Sequence, residues 1–295
     1  MSERRSGILF SSPWLVGLLV LTAGPVLASL YYSFTDFNLF ESPEWVGLDN
    51  YARLLADDRF MTALWNTVYL TVFGVPVMLA LALLVALALN FPVRGQPLYR
   101  AIVYLPAIVP IVTATYLWRW MLNAQYGYLN QLLDLLHLPQ PNWLDDPLWT
   151  KPAVLLVGFW GIGSTAVIYL AALKQVPQQL YEAAAVDGAN ARQRFWHVTW
   201  PAITPVTLFQ LIMGIITSLQ IFTQPYLLAQ ERLNPAAGGP GDSLLTYTMY
   251  LYQNAFSFLK MGYASAMAWV LFTVILALTA IVLKTSKRWV HYGLD

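Results

Sequence analysis

Polar and apolar positions divide the chain into long uncharged stretches separated by short charged ones. The uncharged windows lie between Arg5 and Asp36, Arg59 and Arg94, Arg100 and Arg119, Lys151 and Lys174, Arg194 and Glu231, and Lys260 and Lys284. The shortest, 101–118, holds 18 residues, close to the roughly 20 apolar residues that carry a helix across a bilayer. The pattern predicts an all-α integral membrane protein with six transmembrane helices, over about 10–33, 66–90, 99–122, 152–173, 205–229 and 264–284. A seventh uncharged stretch, Ser243–Leu259, carries Thr246, Thr248, Gln253 and Asn254. It is expected to form a surface helix, because that many polar groups in lipid would need internal partners.

Composition agrees with this class. The 295 residues are 58% hydrophobic and 11% charged, whereas globular domains average about 25% charged residues. A net charge of +1 and the lack of a basic run give no electrostatic footprint for nucleic acid. The chain has no cysteine, which excludes disulfides, thiolate metal sites and cysteine nucleophiles. The apolar run after Arg4-Arg5 is too long for a signal peptide and lacks a small-residue cleavage site.

Basic residues give the orientation. Segments 1–9, 91–100, 174–204 and 284–295 carry ten Lys and Arg, and the remaining segments carry six. The acidic residues split the other way, with 11 of 15 on the second side. The positive-inside rule therefore puts both termini and the 174–204 loop in the cytoplasm. Trp14, Tyr31, Tyr32, Trp65, Trp118, Trp120, Trp200, Trp289 and Tyr292 fall at span ends, as an interfacial aromatic belt would.

The 174–204 loop is patterned as a helical hairpin. Pro177 suits a first helical turn, and Gln178 to Val186 are mostly good helix formers. Asp187-Gly188 stops the helix, since glycine tolerates the left-handed terminal conformation. Asn190 is a candidate N-cap for a second helix reaching about Thr199. Pro201 and Pro205 are expected to interrupt the backbone before the fifth span. Leu180, Ala183, Ala184 and Asp187 recur at helical spacing on one face. Its alanines leave a low-relief surface that could enter a groove, and Glu182 and Asp187 offer charge to a basic partner. The same pattern also suits an ordinary intracellular loop with two amphipathic turns.

The fifth span is the least lipid-like. Gln210, Thr217, Gln220 and Gln224 fall near one face, with Met213, Gly214 and Ser218 beside them. Side-chain amides both donate and accept, which suits hydroxyl-rich sugars in a wet cavity, but they serve equally as glue between helices. In the fourth span, Gly158, Gly161, Gly163 and Ser164 permit close backbone approach. Trp160 could stack on a sugar ring or face lipid. Arg119 and Asn123 are candidates for the cavity mouth or for lipid headgroups. No Lys or Arg lies within the uncharged windows, which favours neutral saccharides over sugar phosphates.

Other function classes fit poorly. His137, His197 and His291 form no ligand-spaced pair, so neither catalytic residues nor a metal site is expected. The windows also lack the carboxylates common in ion-coupled secondary transporters, and a channel would leave the hairpin unexplained. There is no phosphate-binding Gly-x-x-x-x-Gly-Lys run, so the chain itself binds no ATP.

The stretch Glu182-Ala-Ala-Ala-Val-Asp-Gly188-Ala189, continued by Phe195-Trp-His-Val-Thr-Trp-Pro201, resembles the EAA loop of binding-protein-dependent ABC importer permeases. Gly47-Leu-Asp-Asn-Tyr51, Leu64-Trp-Asn-Thr-Val-Tyr69, Tyr99–Pro106, Gly238-Gly-Pro240, Tyr250-Leu-Tyr252, Ala255-Phe256, Met261–Ala266 and Trp289–Tyr292 extend the likeness over nearly the whole chain. The chain is most similar to the maltose and glycerol-3-phosphate type of carbohydrate-uptake permease. Two features depart from that pattern: Gln230–Ala237 intervenes before Gly-Gly-Pro, and Trp200 stands where leucine is common.

The resemblance implies a type I ABC importer permease architecture in the cytoplasmic membrane of a prokaryote. It implies a first span and outer loop over 1–60, a permease core over 61–285, a coupling hairpin over 176–201 and a tail over 286–295. The first hairpin helix would seat in a cleft of an ATP-hydrolysing subunit through Glu182, Ala183, Ala184, Asp187, Gly188 and Ala189, with Gly188 making the turn. Gly161 lies where such permeases place a substrate-facing glycine. The partners implied are a second, homologous permease, two ATP-binding cassette subunits that use ATP and magnesium, an extracytoplasmic sugar-binding protein and membrane lipid. The function implied is translocation of a sugar or oligosaccharide. A self-powered transporter, or an ABC permease for a solute such as glycerol phosphate, is the alternative.

Overall fold

The computed structural model describes residues 3–229 and 238–291, with side chains from Phe10 on. The residues of the inserted Gln230–Ala237 stretch, Tyr292 and the end of the tail lie outside this description. The chain forms two compact units. One holds the chain up to Phe60 together with Tyr250–Thr273, and the other holds Met61–Met249 together with the chain from Val274 on.

Among the described residues, Phe10–Ser33, Asp58–Asn90, Ala191–Ala229 and Met261–Ser286 are helical stretches long and apolar enough to cross a membrane. Gln96–Ile108 with Ile111–Met121, and Pro147–Trp160 with Gly163–Gln175, qualify only as bent pairs, turning by 96° and 49°. The candidate spans therefore number four, or six if each bent pair is one span.

The expectation of one helix over 99–122 needs correction. Pro110 disfavours helical geometry at the residue before it. Val109 is accordingly extended (φ −68°, ψ 128°), and the helix restarts at Ile111 in a new direction. The fifth span corrects two expectations. The prolines do not interrupt its start: helix runs from Ala191 through a π-helical turn at Phe195–Thr199 into Trp200–Leu219. Pro201 falls in the first turn after the wide π turn. The Pro201 carbonyl, which Pro205 leaves without an amide donor, accepts instead from Thr204 Oγ1 at 2.7 Å. The break falls later, at Gln220–Phe222, before a short Thr223–Ala229 helix.

The stretch expected as a surface helix, Ser243–Leu259, is instead largely buried as far as Ala255, while Phe256 and Phe258 are exposed. Thr246, Tyr247, Met249 and Gln253 are each at most 1% exposed. Of the polar residues that argued against lipid, Thr246 and Asn254 find internal partners, Thr246 Oγ1 donating to the Ile221 carbonyl at 3.0 Å, whereas Thr248 Oγ1 and the Gln253 side-chain amide are buried without one. Within the larger unit, Asn66 Nδ2 donates to the Asp242 and Leu245 carbonyls (2.8 and 2.9 Å), and the Tyr247 amide donates to Thr67 Oγ1 (2.8 Å). In the smaller unit, Asn254 Nδ2 donates to the Tyr250 carbonyl at 2.9 Å.

The smaller unit is held by similar pins. Asn50 Nδ2 donates to the Ser33 and Thr35 carbonyls, and the Tyr51 hydroxyl donates to Ser33 Oγ. Asp57 Oδ2 accepts from the Tyr250 and Tyr263 hydroxyls at 2.7 and 2.6 Å, while Oδ1 accepts from the Arg59 and Phe60 amides. Partial burial opposes ionisation of Asp57, but these four hydrogen bonds outweigh it and hold the carboxyl below its ordinary range. Burial and the nearby carboxylate push the Tyr250 hydroxyl up to about 12.

In the larger unit, Ala82, Ala86, Leu89, Ala166, Tyr169, Leu170, Leu173 and Ile203 form one core where three helices meet. Small residues bring backbones close without a hydrophobic driving force. Gly163 is the extreme case, since a Cβ there would run into the Val103 carbonyl and the Tyr104 Cα.

Candidate functional site

Three helix interruptions converge on one pair of adjoining cavities in the larger unit. The larger cavity is about 540 Å³. Gln210, Met213, Gly214, Thr217, Ser218, Gln220 and Gln224 all line it, so the polar face read in the fifth span is a cavity wall. The smaller cavity, about 170 Å³, collects Trp160, Gly161 and Ser164, and Gln224, Ile111 and Gly158 border both. Three of the walls contain a break, at Val109-Pro110, Gly161-Ile162 and Gln220–Phe222, and the unbroken Asp58–Asn90 helix adds a fourth through Leu70, Gly74, Val75 and Met78. Irregular backbone at membrane depth is tolerated where it is buried in protein or lines a cavity. The lining of the larger cavity contains no charged residue.

The individual polar groups differ in what holds them. Ser218 Oγ hydrogen-bonds Thr71 Oγ1 at 3.0 Å, joining two helices. Thr217 Oγ1 donates back to the Met213 and Gly214 carbonyls of its own helix. Gln210 is 8% exposed, and its Nε2 has no hydrogen-bond partner. Cavity and glue thus divide by residue: Ser218 is glue, and Gln210 lines the cavity with its Nε2 shielded from solvent and unpaired. Trp160 is half-buried, edge-on to Trp118 at 6.2 Å between ring centroids. Trp118 itself is 8% exposed, a buried exception among the span-end aromatics. Arg119 Nη1 donates to the Leu227 carbonyl at 3.2 Å, and with Asn123 it lines a separate cavity.

Sequence reasoning reached the fourth-span wall through Trp160, Gly161 and Ser164 but missed Gly74, Met78, Ile111 and Leu155. These are apolar or small residues in apolar windows. Pro110 was the one available signal, as the cause of the bend that brings Ile111 to the cavity.

The hairpin stands as patterned, with one adjustment. Its first helix is Gln178–Val186 and ends at Gly188, with φ +77°. The Ala189 amide donates to the Ala184 carbonyl and the Gly188 amide to the Ala185 carbonyl, the paired bonds of a Schellman ending. The second helix opens with a capping box. The Gln193 amide donates to Asn190 Oδ1 at 2.9 Å, and the Asn190 amide donates to Gln193 Oε1 at 2.8 Å. The Tyr181 hydroxyl and Thr199 Oγ1 link the two helices at 2.9 Å. Leu180, Ala184 and Ala189 are half-buried, whereas Glu182, Ala183, Ala185, Val186, Asp187 and Gly188 are exposed. The expected face is therefore rotated: Leu180 and Ala184 turn inward, and Val186 at the tip is 89% exposed.

Residues 58–292 match the family of binding-protein-dependent transport system inner membrane components. The chain belongs to this family. It is 40% identical to the probable ABC transporter permease protein YesP of Bacillus subtilis, covering 98% of this chain and 93% of the relative. It is 34% identical to the sulfoquinovosyl glycerol transport system permease protein SmoG of Agrobacterium fabrum, over 97% of this chain and 92% of the relative. A crystal structure of a bacterial alginate ABC transporter, in complex with an alginate pentasaccharide-bound periplasmic protein, superposes with a TM-score of 0.80. That match is 23% identical and covers 99% of this chain and 98% of the matched one. The fold is the type I ABC importer permease fold, and this family member is a multi-pass protein of the cytoplasmic membrane.

Proposed function

We propose that this permease carries a neutral sugar or oligosaccharide inward, with the 540 Å³ cavity as its passage site. The observation that carries this is an uncharged wall lined by the Gln210, Gln220 and Gln224 side chains. Gln210 Nε2 is shielded and unpaired, at a cost of about 1–3 kcal/mol, and a turn of its side chain toward the cavity would let a sugar hydroxyl take the bond. A phosphorylated solute would call for a cation in this wall, and ion-coupled transport would call for a carboxylate. The wall has neither. SmoG, a relative named for sulfoquinovosyl glycerol, supports a sugar as the substrate but not its neutrality, because a sulfoquinovosyl group carries a sulfonate.

In this reading each bent pair is one span, giving six spans with both termini in the cytoplasm. The Gln178–Val186 helix is the coupling helix, with Glu182, Ala183, Asp187 and Gly188 at the ATPase surface and Ala184 and Ala189 holding the turn. Trp160, Gly161 and Ser164 form the side pocket of the pathway. Partners are a second permease, two ATPase subunits that hold ATP and magnesium, and an extracytoplasmic binding protein. The chain is not itself an enzyme and binds no cofactor. A rigid helix seated in each ATPase would transmit closure of the ATPase pair to the membrane helices as a rigid-body switch.

The test is ATPase activity of the lipid-reconstituted assembly with a panel of sugar-loaded binding proteins. One loaded receptor should stimulate hydrolysis, and Glu182→Lys should abolish that stimulation while the chain still inserts. Failure of any ATPase subunit to co-purify would overturn the coupling role. Stimulation by a phosphorylated ligand alone would overturn the neutral-sugar reading.

A further inference from the structure

A second site, outside the cavities, lies where the first turns of Gln96–Ile108 meet the last turns of Gly163–Gln175. Arg100, Tyr104, Val167, Leu170, Ala171 and Lys174 line an open groove of about 410 Å³ there. Arg100 is half-buried, and its Nε and Nη2 are shielded from solvent without any hydrogen-bond partner. A guanidinium has five donors and no acceptor, and it stays charged at every physiological pH. No hydrogen bond or ion pair with the described residues balances this charge, so an anion in the groove beside the guanidinium would be favoured. Lys174, exposed at the end of the opposite helix, supplies a second positive charge on the same groove.

The apolar part of the groove identifies the anion's other half. Beyond Arg100, the two helices present Ile102, Leu105, Val167 and Ile168 outward, at 59%, 63%, 37% and 41% exposure. An apolar band running on from a paired cation site fits acyl chains below a charged headgroup. Basic pockets between membrane helices select anionic headgroups in this way. We propose that the Arg100–Lys174 groove binds one anionic phospholipid, with its headgroup phosphate on the Arg100 guanidinium and Lys174 Nζ and its chains along the Tyr104–Val167 walls. Nothing in this depends on the transported solute, so the lipid site and the sugar pathway stand or fall separately.

The test is native mass spectrometry of the detergent-extracted full chain with its co-purifying subunits, titrated with phosphatidylglycerol or phosphatidylcholine. The wild type should retain phosphatidylglycerol preferentially. Each cation near a headgroup contributes about fivefold to binding, so Arg100→Gln and Lys174→Gln should each lower the preference by about that factor. Equal retention of both lipids by the wild type, or undiminished preference in the double variant, overturns the site. Displacement of the lipid by inorganic phosphate at comparable concentration would make it a free-anion site and also overturns the proposal. If Arg100→Gln does not yield assembled protein, Lys174→Gln alone decides, because Lys174 is exposed at a helix end. Its expected result is the same roughly fivefold loss, and an unchanged preference again overturns the site.

Discussion

The hairpin at 176–201 and the cavity wall at Gln210–Gln224 adjoin in sequence but are stabilised by opposite means. In the hairpin, capping groups and turn residues find partners within a few residues: Ala189 with Ala184, Gly188 with Ala185, Asn190 with Gln193. Only Tyr181 and Thr199 reach across it. In the wall, the helix breaks at Gln220, Ser218 is tied to Thr71 147 residues away, and Gln210 is left unpaired. A segment that satisfies itself can move as a rigid body and offer its outer surface to a partner. A segment held by distant elements, with a donor left over, is shaped to receive something. The first suits transmission of force and the second suits recognition.

The largest effect should come from breaking the packing that sets the second wall. In Gly163→Ala the new Cβ meets backbone, the Val103 carbonyl and Tyr104 Cα, which cannot swing aside as a side chain would. Overpacking of this kind costs about 1–3 kcal/mol. The Tm of the purified chain in detergent should fall clearly, with the hairpin's local hydrogen exchange unchanged. An unaltered Tm would mean that the two bent helices do not approach as closely as described.

The next prediction turns on the sign of a stability change. If Gln210 were glue, Gln210→Leu would lower Tm. Because its Nε2 has no protein partner, replacing it with an apolar group of similar size should leave Tm unchanged or raised. Uptake, in contrast, should fall by about tenfold, the value of one good hydrogen bond to the solute. Parallel loss of stability and uptake would return Gln210 to the helix interface. Undiminished uptake with an unchanged Tm would remove it from the pathway.

The same contrast explains what the sequence could and could not tell. The Gly188 turn and the Asn190 cap rest on residues within one helical turn, and both form. The apolar windows rest on local composition, which locates the long helices but neither their ends, since the second opens at Asp58 and the fifth continues from Ala191, nor the bends at 109–110 and 161–162. Which face of Gln178–Val186 points out was not readable, because Leu180 and Ala184 are turned inward by the rest of the chain. The amides of the fifth span were legible as a polar stripe, but most of its opposing walls were not. Gly74, Leu155 and Phe159 become cavity residues only once the 96° and 49° bends have formed. Ser243–Leu259 was misplaced for the same reason. Whether this stretch meets water or a protein interior depends on residues such as Asn66 and Thr67, more than 170 positions earlier, which bond its backbone.

The smallest effect tests whether the hairpin's stiffness is local. Asn190 caps the second helix with its side chain, and its backbone amide is bonded by Gln193 in return. Replacing such a cap with alanine costs about 1 kcal/mol. The residue is exposed and touches no other element through these bonds, so the cost should stay within the hairpin. Asn190→Ala should therefore speed amide exchange at Ala191–Phe195 by about fivefold while leaving the global Tm in place. Receptor-stimulated ATPase activity should fall only slightly, because the Gly188 turn and the Tyr181–Thr199 link still fix the first helix. A large fall in Tm would show that the hairpin is held by the membrane core and does not hold itself, and the division of labour drawn between hairpin and cavity wall would fail with it.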